Sequence, residues 1–170
     1  MTEDDPYDLF FTGKDDPRDG CIMMGHVGAR PIYYHCETTT TTNSTRTTFY
    51  RDANPVAQFE WSLGYHLGNL NVGRRQIPMT YLVMPGTIAN ARMFASGTRR
   101  YEWRRTTDGG YDLHEGPSSR IGGFRRFPQP RETPVGPAHA LLQYTFDNDE
   151  LMLDCLLALS INRWIDLHGL

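Results

Sequence analysis

The sequence predicts an all-β domain, a curved wall of about twelve mostly antiparallel strands built around a single hydrophobic C-terminal α-helix. Three observations carry this prediction. From Tyr7 to Phe146 the chain is a series of short aromatic and β-branched runs separated by Gly, Pro, Asn and Asp, the pattern of strands joined by tight turns. Two of those runs, VAQFEWSL and RRYEWRR, alternate with a period of two, as a half-buried strand does. The final stretch DELMLDCLLALSINRWIDLHGL is apolar on every side of a helical wheel as far as Ile161.

In chain order the expected strands are YDLFFT, CIMM, PIYYHC, TRTTFYR, VAQFEWSL, NLNVG, QIPMTYLVM, ARMFA, RRYEWRR, GYDLHE, RIGGFRRF and HALLQYTF. In VAQFEWSL the set Ala57, Phe59, Trp61 and Leu63 shares the inward face. In RRYEWRR Tyr101 and Trp103 point inward with Arg99 and Arg105, leaving Arg100, Glu102 and Arg104 outside. RRYEWRRTTDGGYDLHE is a hairpin around Thr107-Asp108-Gly109-Gly110, where glycine supplies positive φ. The tract Thr38–Thr42 with Asn43 and Ser44 is a hairpin loop or an extension of its flanking strands, since threonine favours extended backbone. PQPRETPVGP, with four prolines, is expected as a surface loop because proline cannot donate to a central ladder. The paired glycines of RIGGFRR mark a strand bend or bulge.

The helix is expected over residues 149–167. Asp or Asn in DND caps it, acidic residues fill its first turn, and Gly169 stops it. A helix apolar all round must be surrounded by lipid or protein. A membrane span needs about 20 predominantly apolar residues, and here Asp154 interrupts the run and Asn162, Arg163 and Asp166 close it. The strands must therefore cover the helix, and no transmembrane segment is expected.

With 170 residues the chain makes one domain, residues 21–170, preceded by an acidic segment, residues 1–20, that runs into the first strand. The net charge of −3 hides an asymmetry. The first twenty residues carry Glu3, Asp4, Asp5, Asp8, Asp15, Asp16 and Asp19 against Lys14 and Arg18. The stretch from Arg92 to Arg131 is strongly basic, and every basic residue except Lys14 is arginine, whose planar fork suits anions and aromatic faces. The acidic N-terminus lacks the basic-then-apolar order of a secretory signal, and three cysteines without C-x-x-C spacing predict no disulfide framework. An intracellular, reducing location is the expectation. Cys155 is read as an inert core thiol, and Cys21 and Cys36 as free to sit at the surface without activation.

The ordered set IYYHCETTTTTNSTRTTFYR, AQFEWSL, RRYEWRR and DELMLDCLLALSINRWID, spanning Tyr7 to Asp166, resembles an uncharacterised family of small proteins from mushroom-forming fungi, defined only as a domain of unknown function. Its plan is similar to that of the tubby-like superfamily, which includes the tubby C-terminal domain, the LURP-one-related proteins and the phospholipid scramblases. The resemblance implies a closed or nearly closed barrel around the helix. It carries no activity over. Tubby domains bind phosphoinositides through basic surface residues, but none of those residues aligns here one by one.

For function, the sequence offers Arg99, Arg100, Arg104, Arg105, Arg125 and Arg126 as an anion-binding face for a lipid headgroup or an acidic protein surface. No G-x-S-x-G elbow, P-loop, dinucleotide fingerprint or H-E-x-x-H is present, and the six histidines are scattered. No catalytic residue, metal site or cofactor is therefore expected. Nucleic acid is not expected either, because the aromatics alternate into the core and do not form a stacking platform. Three classes remain: a non-enzymatic binding module, a small-ligand binder or enzyme with a barrel-mouth pocket near His114 or His139, and a self-associating structural protein.

Overall fold

The computed structural model describes residues 6–14, 16–18, 21–27, 30–64 and 66–169. Of the acidic segment, Glu3, Asp4, Asp5, Asp15 and Asp19 lie outside the described residues. The strands are β1 (Tyr7–Phe11), β2 (Ile22–Val27), β3 (Arg30–Thr40), β4 (Thr45–Arg51), β5 (Asn54–Trp61), β6 (Asn69–Val72), β7 (Arg75–Pro78), β8 (Met84–Pro85), β9 (Ala91–Ser96), β10 (Arg99–Arg105), β11 (Tyr111–Glu115), β12 (Ser119–Thr133) and β13 (Gly136–Tyr144). They are followed by α1 (Asp149–His168).

All thirteen strands form one sheet in the order β7-β6-β5-β4-β3-β2-β1-β13-β12-β11-β10-β9-β8. Two antiparallel meanders thus meet where β1 pairs with β13, with Leu9 opposite Leu142. The sheet is not closed by hydrogen bonds, because β7 and β8 are its two edges. A 3₁₀ turn at Met79–Leu82 joins those edges and packs on α1 and β9, burying Met79 and Leu82.

The helix lies inside this wall. Thirteen of its residues are buried, from Leu151 and Met152 through the unbroken run Cys155–Ile165. Strands from both meanders touch it: Trp61 of β5 packs on Trp164 at 4.7 Å between ring centroids, and the Trp103 indole of β10 donates to the Cys155 carbonyl at 3.2 Å. Fully burying one leucine side chain stabilises by about 1.5–3 kcal/mol, so Leu156, Leu157, Leu159 and Ile161, each at most 1% exposed, make α1 the centre of the core. Among the described residues no helix is long and apolar enough to cross a membrane.

Both helix ends follow the sequence signals. The Asn148 side chain accepts from the Leu151 N–H at 3.1 Å, and Asp149 pairs with Arg30 of β3 and Arg51 of β4, each at 3.1 Å. Gly169 adopts φ 67°, the left-handed stop that glycine adopts without strain.

The β10–β11 hairpin forms as expected, with Trp103 opposite Leu113. The threonine tract is mostly strand extension: Thr38 faces Thr47 and Thr40 faces Thr45 across the β3–β4 ladder, and Thr41 and Ser44 close the turn. Beside Gly122, β12 carries an extra residue, Ile121, since Leu113 faces Gly122 while His114 faces Arg120.

Three expectations are corrected. QIPMTYLVM is not one strand, because the ladder ends at Pro78 and the chain turns through 3₁₀ geometry before β8. PQPRETPVGP is not one loop. Strand β12 continues to Thr133, and its prolines Pro128 and Pro130 fall in the register break between Arg126 and Arg131, where the ladder does not need their missing N–H. Leu63 is not on the inner face of β5, which ends at Trp61, and it is 69% exposed.

Candidate functional site

Cross-strand register places the basic outer face. Arg104 of β10 stands opposite Asp112 of β11, which stands opposite Gly123 of β12, so charged residues of three strands share one surface. The carboxylates among them are engaged. Arg104 pairs with Glu102 at 2.9 Å and also reaches the Pro117 carbonyl. Asp112 holds Arg120 at 3.1 Å and Arg125 at 2.8 Å, and Asp108 lies 3.5 Å from Arg125. Arg99 pairs with Glu115 at 2.6 Å.

Glu102 is the most enclosed of these groups, 4% exposed. Burial alone would raise its pKa. The bonds from the Thr87 hydroxyl and N–H and from Arg104 outweigh that and leave it lowered. Gly86 makes room for it, since a Cβ there would lie 2.6 Å from Glu102 Oε2.

The structure therefore does not gather the six arginines at one point. Arg100, Arg104 and Arg125 lie on the outer face, and among the described residues Arg100 has no partner. Arg99 reaches the helix N-terminal end, where it lines a cleft with Ser96, Thr98, Tyr101, Asn148 and Glu150. Arg105 reaches the opposite end and lies 3.7 Å from Asp166. There Arg92 binds Asp166 at 3.1 Å and Asn162 at 2.9 Å, and the Tyr111 hydroxyl donates to Asp166. Arg126 is exposed on β12 and engaged by neighbouring residues.

The most ligand-like concavity lies elsewhere. The far end of the β12–β13 hairpin stands beside β1 and β2, and together they enclose a cleft of about 590 Å³. Its lining includes the apolar Tyr7, Phe10 and Met24 and the polar Asp8, His26, Arg131 and Glu132. Phe10 stacks near Phe127 at 6.4 Å, whose ring also lies under the Arg131 guanidinium at 4.3 Å. Gly25 sets the floor, where a Cβ would sit 2.1 Å from the Asp8 carbonyl. Sequence reasoning missed this site because the proline-rich segment that builds it reads as a loop.

Among the described residues, neither His114 nor His139 lines the cleft beside β1 and β2 or the cleft at the helix N-terminal end. His114 lies on the outer face, where burial, followed by the charge of Arg104, lowers its pKa and favours the neutral ring. Among the described residues no group of three or more His, Cys, Asp or Glu side chains is placed to hold a metal ion. Cys21 and Cys36, which the sequence left free to be exposed, are each 1% exposed, because both sit on the inward side of neighbouring strands.

The fold thus defines the class: an antiparallel β wall wrapped on its own C-terminal helix. Residues 15–159 match the Family of unknown function (DUF6593), and the chain belongs to that family. No curated protein matches it, and no solved structure does.

Proposed function

We propose that the chain is a non-enzymatic binding module that takes a small amphiphile with an anionic end in the cleft between β1–β2 and the β12–β13 hairpin. One observation carries the reading: a cleft of about 590 Å³ with aromatic and thioether walls, whose polar lining sets the Arg131 guanidinium beside His26, Asp8 and Glu132. Ligand sites typically measure about 300–1,000 Å³ and combine apolar walls with a few polar groups. The tubby-like resemblance supports an anionic headgroup as the polar end, and the fungal resemblance adds no chemistry. Carboxylate pairing on the β10–β12 face leaves Arg104, Arg120 and Arg125 little spare charge for an external anion, which favours the cleft over the arginine face.

The test is thermal unfolding with a single-chain anionic phospholipid below its micelle concentration. At a ligand concentration about 100-fold above the dissociation constant, binding adds about 2.7 kcal/mol to the folded state, and the melting temperature rises. Phe10→Ser and Arg131→Gln should each abolish the rise while leaving the unliganded melting temperature close to that of the unmutated protein. A rise that survives both substitutions, or none with the unmutated protein, rejects this site. An equal rise with a zwitterionic lipid rejects the anionic end.

A further inference from the structure

Cys21, just before β2, and Cys36 in β3 are cross-strand neighbours. The register pairs Ile22 with His35, and one step on, the Cys36 N–H donates to the Cys21 carbonyl at 2.9 Å. Opposed residues joined by such a bond hold their Cα atoms about 5.5 Å apart, inside the roughly 4.4–6.8 Å range that a disulfide spans. Both residues are buried, each 1% exposed, and directly opposed residues of an antiparallel pair point to the same side of the sheet. They stand at consecutive strands, and the β2–β3 register brings them opposite each other.

A third group faces them. Arg163 of α1 is 3% exposed and has no carboxylate partner among the described residues. Its guanidinium lies over the Phe124 ring at 4.8 Å, one N–H reaches the Lys14 carbonyl at 3.5 Å, and its Nε has no partner. A buried cation without an anion is costly. A thiolate at Cys21 would supply that anion.

We propose that Cys21 and Cys36 are a redox site, a dithiol that hydrogen peroxide converts to a reversible disulfide, with Arg163 as the buried counter-ion of the Cys21 thiolate. The neighbouring Cys36 thiol, together with the charge of Arg163, outweighs burial and lowers the pKa of the Cys21 thiol, while Cys36 is pushed up. Cys155, 0% exposed in the helix, is pushed up by burial and serves as the internal control.

In the first step the Cys21 thiolate attacks one peroxide oxygen, the O–O bond breaks, and the departing hydroxide takes up a proton to leave as water. Cys21 becomes a sulfenic acid. The Cys36 sulfur then attacks the Cys21 sulfur, the S–O bond breaks, and the Cys36 proton leaves with the hydroxyl as a second water. Two electrons pass from the thiols to the peroxide, and an added dithiol returns them. The cover over the pair is irregular backbone: the Pro17 carbonyl accepts from the Cys36 thiol at 3.8 Å, and Gly13 packs so closely that a Cβ there would lie 2.8 Å from Cys21 Sγ. Gly13 and Pro17 lie outside the ladders, and such positions open at lower free energy than the sheet, which admits an oxidant of peroxide's size.

The test treats the folded full chain with hydrogen peroxide at neutral pH, then alkylates it under denaturing conditions and measures intact mass. Reduced protein should take three alkyl groups, oxidised protein one, on Cys155, and dithiothreitol should restore three. Cys36→Ser should instead leave a sulfenic acid on Cys21 that reacts with dimedone. Arg163→Met, which removes a buried charge without opening a cavity and so keeps the fold, should slow oxidation at least tenfold, and Arg163→Lys should recover much of the rate. Three alkylated thiols after peroxide, a disulfide that includes Cys155, or an unchanged rate in Arg163→Met would each overturn the proposal.

Discussion

The outer face of β10–β12 and the interior of the β wall around Arg163 are both arginine sites, and they solve the same electrostatic problem in opposite ways. Outside, Arg104, Arg120 and Arg125 each sit within 3.1 Å of a carboxylate, which offsets most of their charge. Inside, Arg163 has an aromatic face, one carbonyl and two nearby thiols for company, and among the described residues no carboxylate partner. Burial lowers its pKa, and Cys21 is the largest influence holding it up. Arginine count therefore says little about where a charge is available. The counter-ion decides.

The largest test of the interior side is Trp103→Ala. The side chain is 1% exposed and anchors the helix through the Cys155 carbonyl, so its loss should cost about 3–5 kcal/mol by chemical denaturation. A loss below about 1 kcal/mol would show that the wall is not packed on the helix.

Glu102→Gln comes next and probes the one enclosed carboxylate of the outer face. Leaving Arg104 without its anion should cost about 1–3 kcal/mol at neutral pH. The pKa of Glu102 is lowered in the fold, so its contribution is present above 4.5, the ordinary glutamate value, and lost as pH falls through the folded value. The gap between mutant and unmutated protein should therefore shrink in acid, and a gap independent of pH would contradict the pairing.

Asp154 has the opposite sign. Burial raises its pKa, opposed by the bond from the Ser96 hydroxyl, so the folded state favours the protonated acid. Asp154→Asn should raise the melting temperature at neutral pH, and the gain should vanish below 3.8, the ordinary aspartate value. The smallest effect belongs to Arg99→Gln. Its side chain is 69% exposed, and the change should stay within about 0.5 kcal/mol; a larger loss would mean that the outer pairs are structural rather than solvated.

Much of the architecture was legible because periodicity reports burial directly. Phe59 and Trp61, Tyr101 and Trp103, and the all-round apolar helix could each be placed without knowing any partner. Pro78 was harder, since a 3₁₀ turn inside an apolar run has no period of its own. Pro128 and Pro130 misled because a register break tolerates proline where a regular ladder does not. Arg163 read as the end of the buried run, for an arginine after leucines usually marks solvent, and only the surrounding strands reveal that it stays inside. The pairing of Cys21 with Cys36 depends on register between separate strands, which no local pattern encodes. On the outer face, Glu102 and Arg104 were visible as same-side neighbours, whereas Asp112 between Arg120 and Arg125 required the fold.

Native-state hydrogen exchange tests the enclosed helix most directly. If the strands shield α1, the backbone N–H groups of Cys155–Ile165 exchange only through global unfolding, with protection equal to the stability measured by denaturant. Exchange of that run markedly faster than the β1 and β13 ladder would mean that the helix opens to solvent while the sheet stays folded, and the account of the core would be wrong.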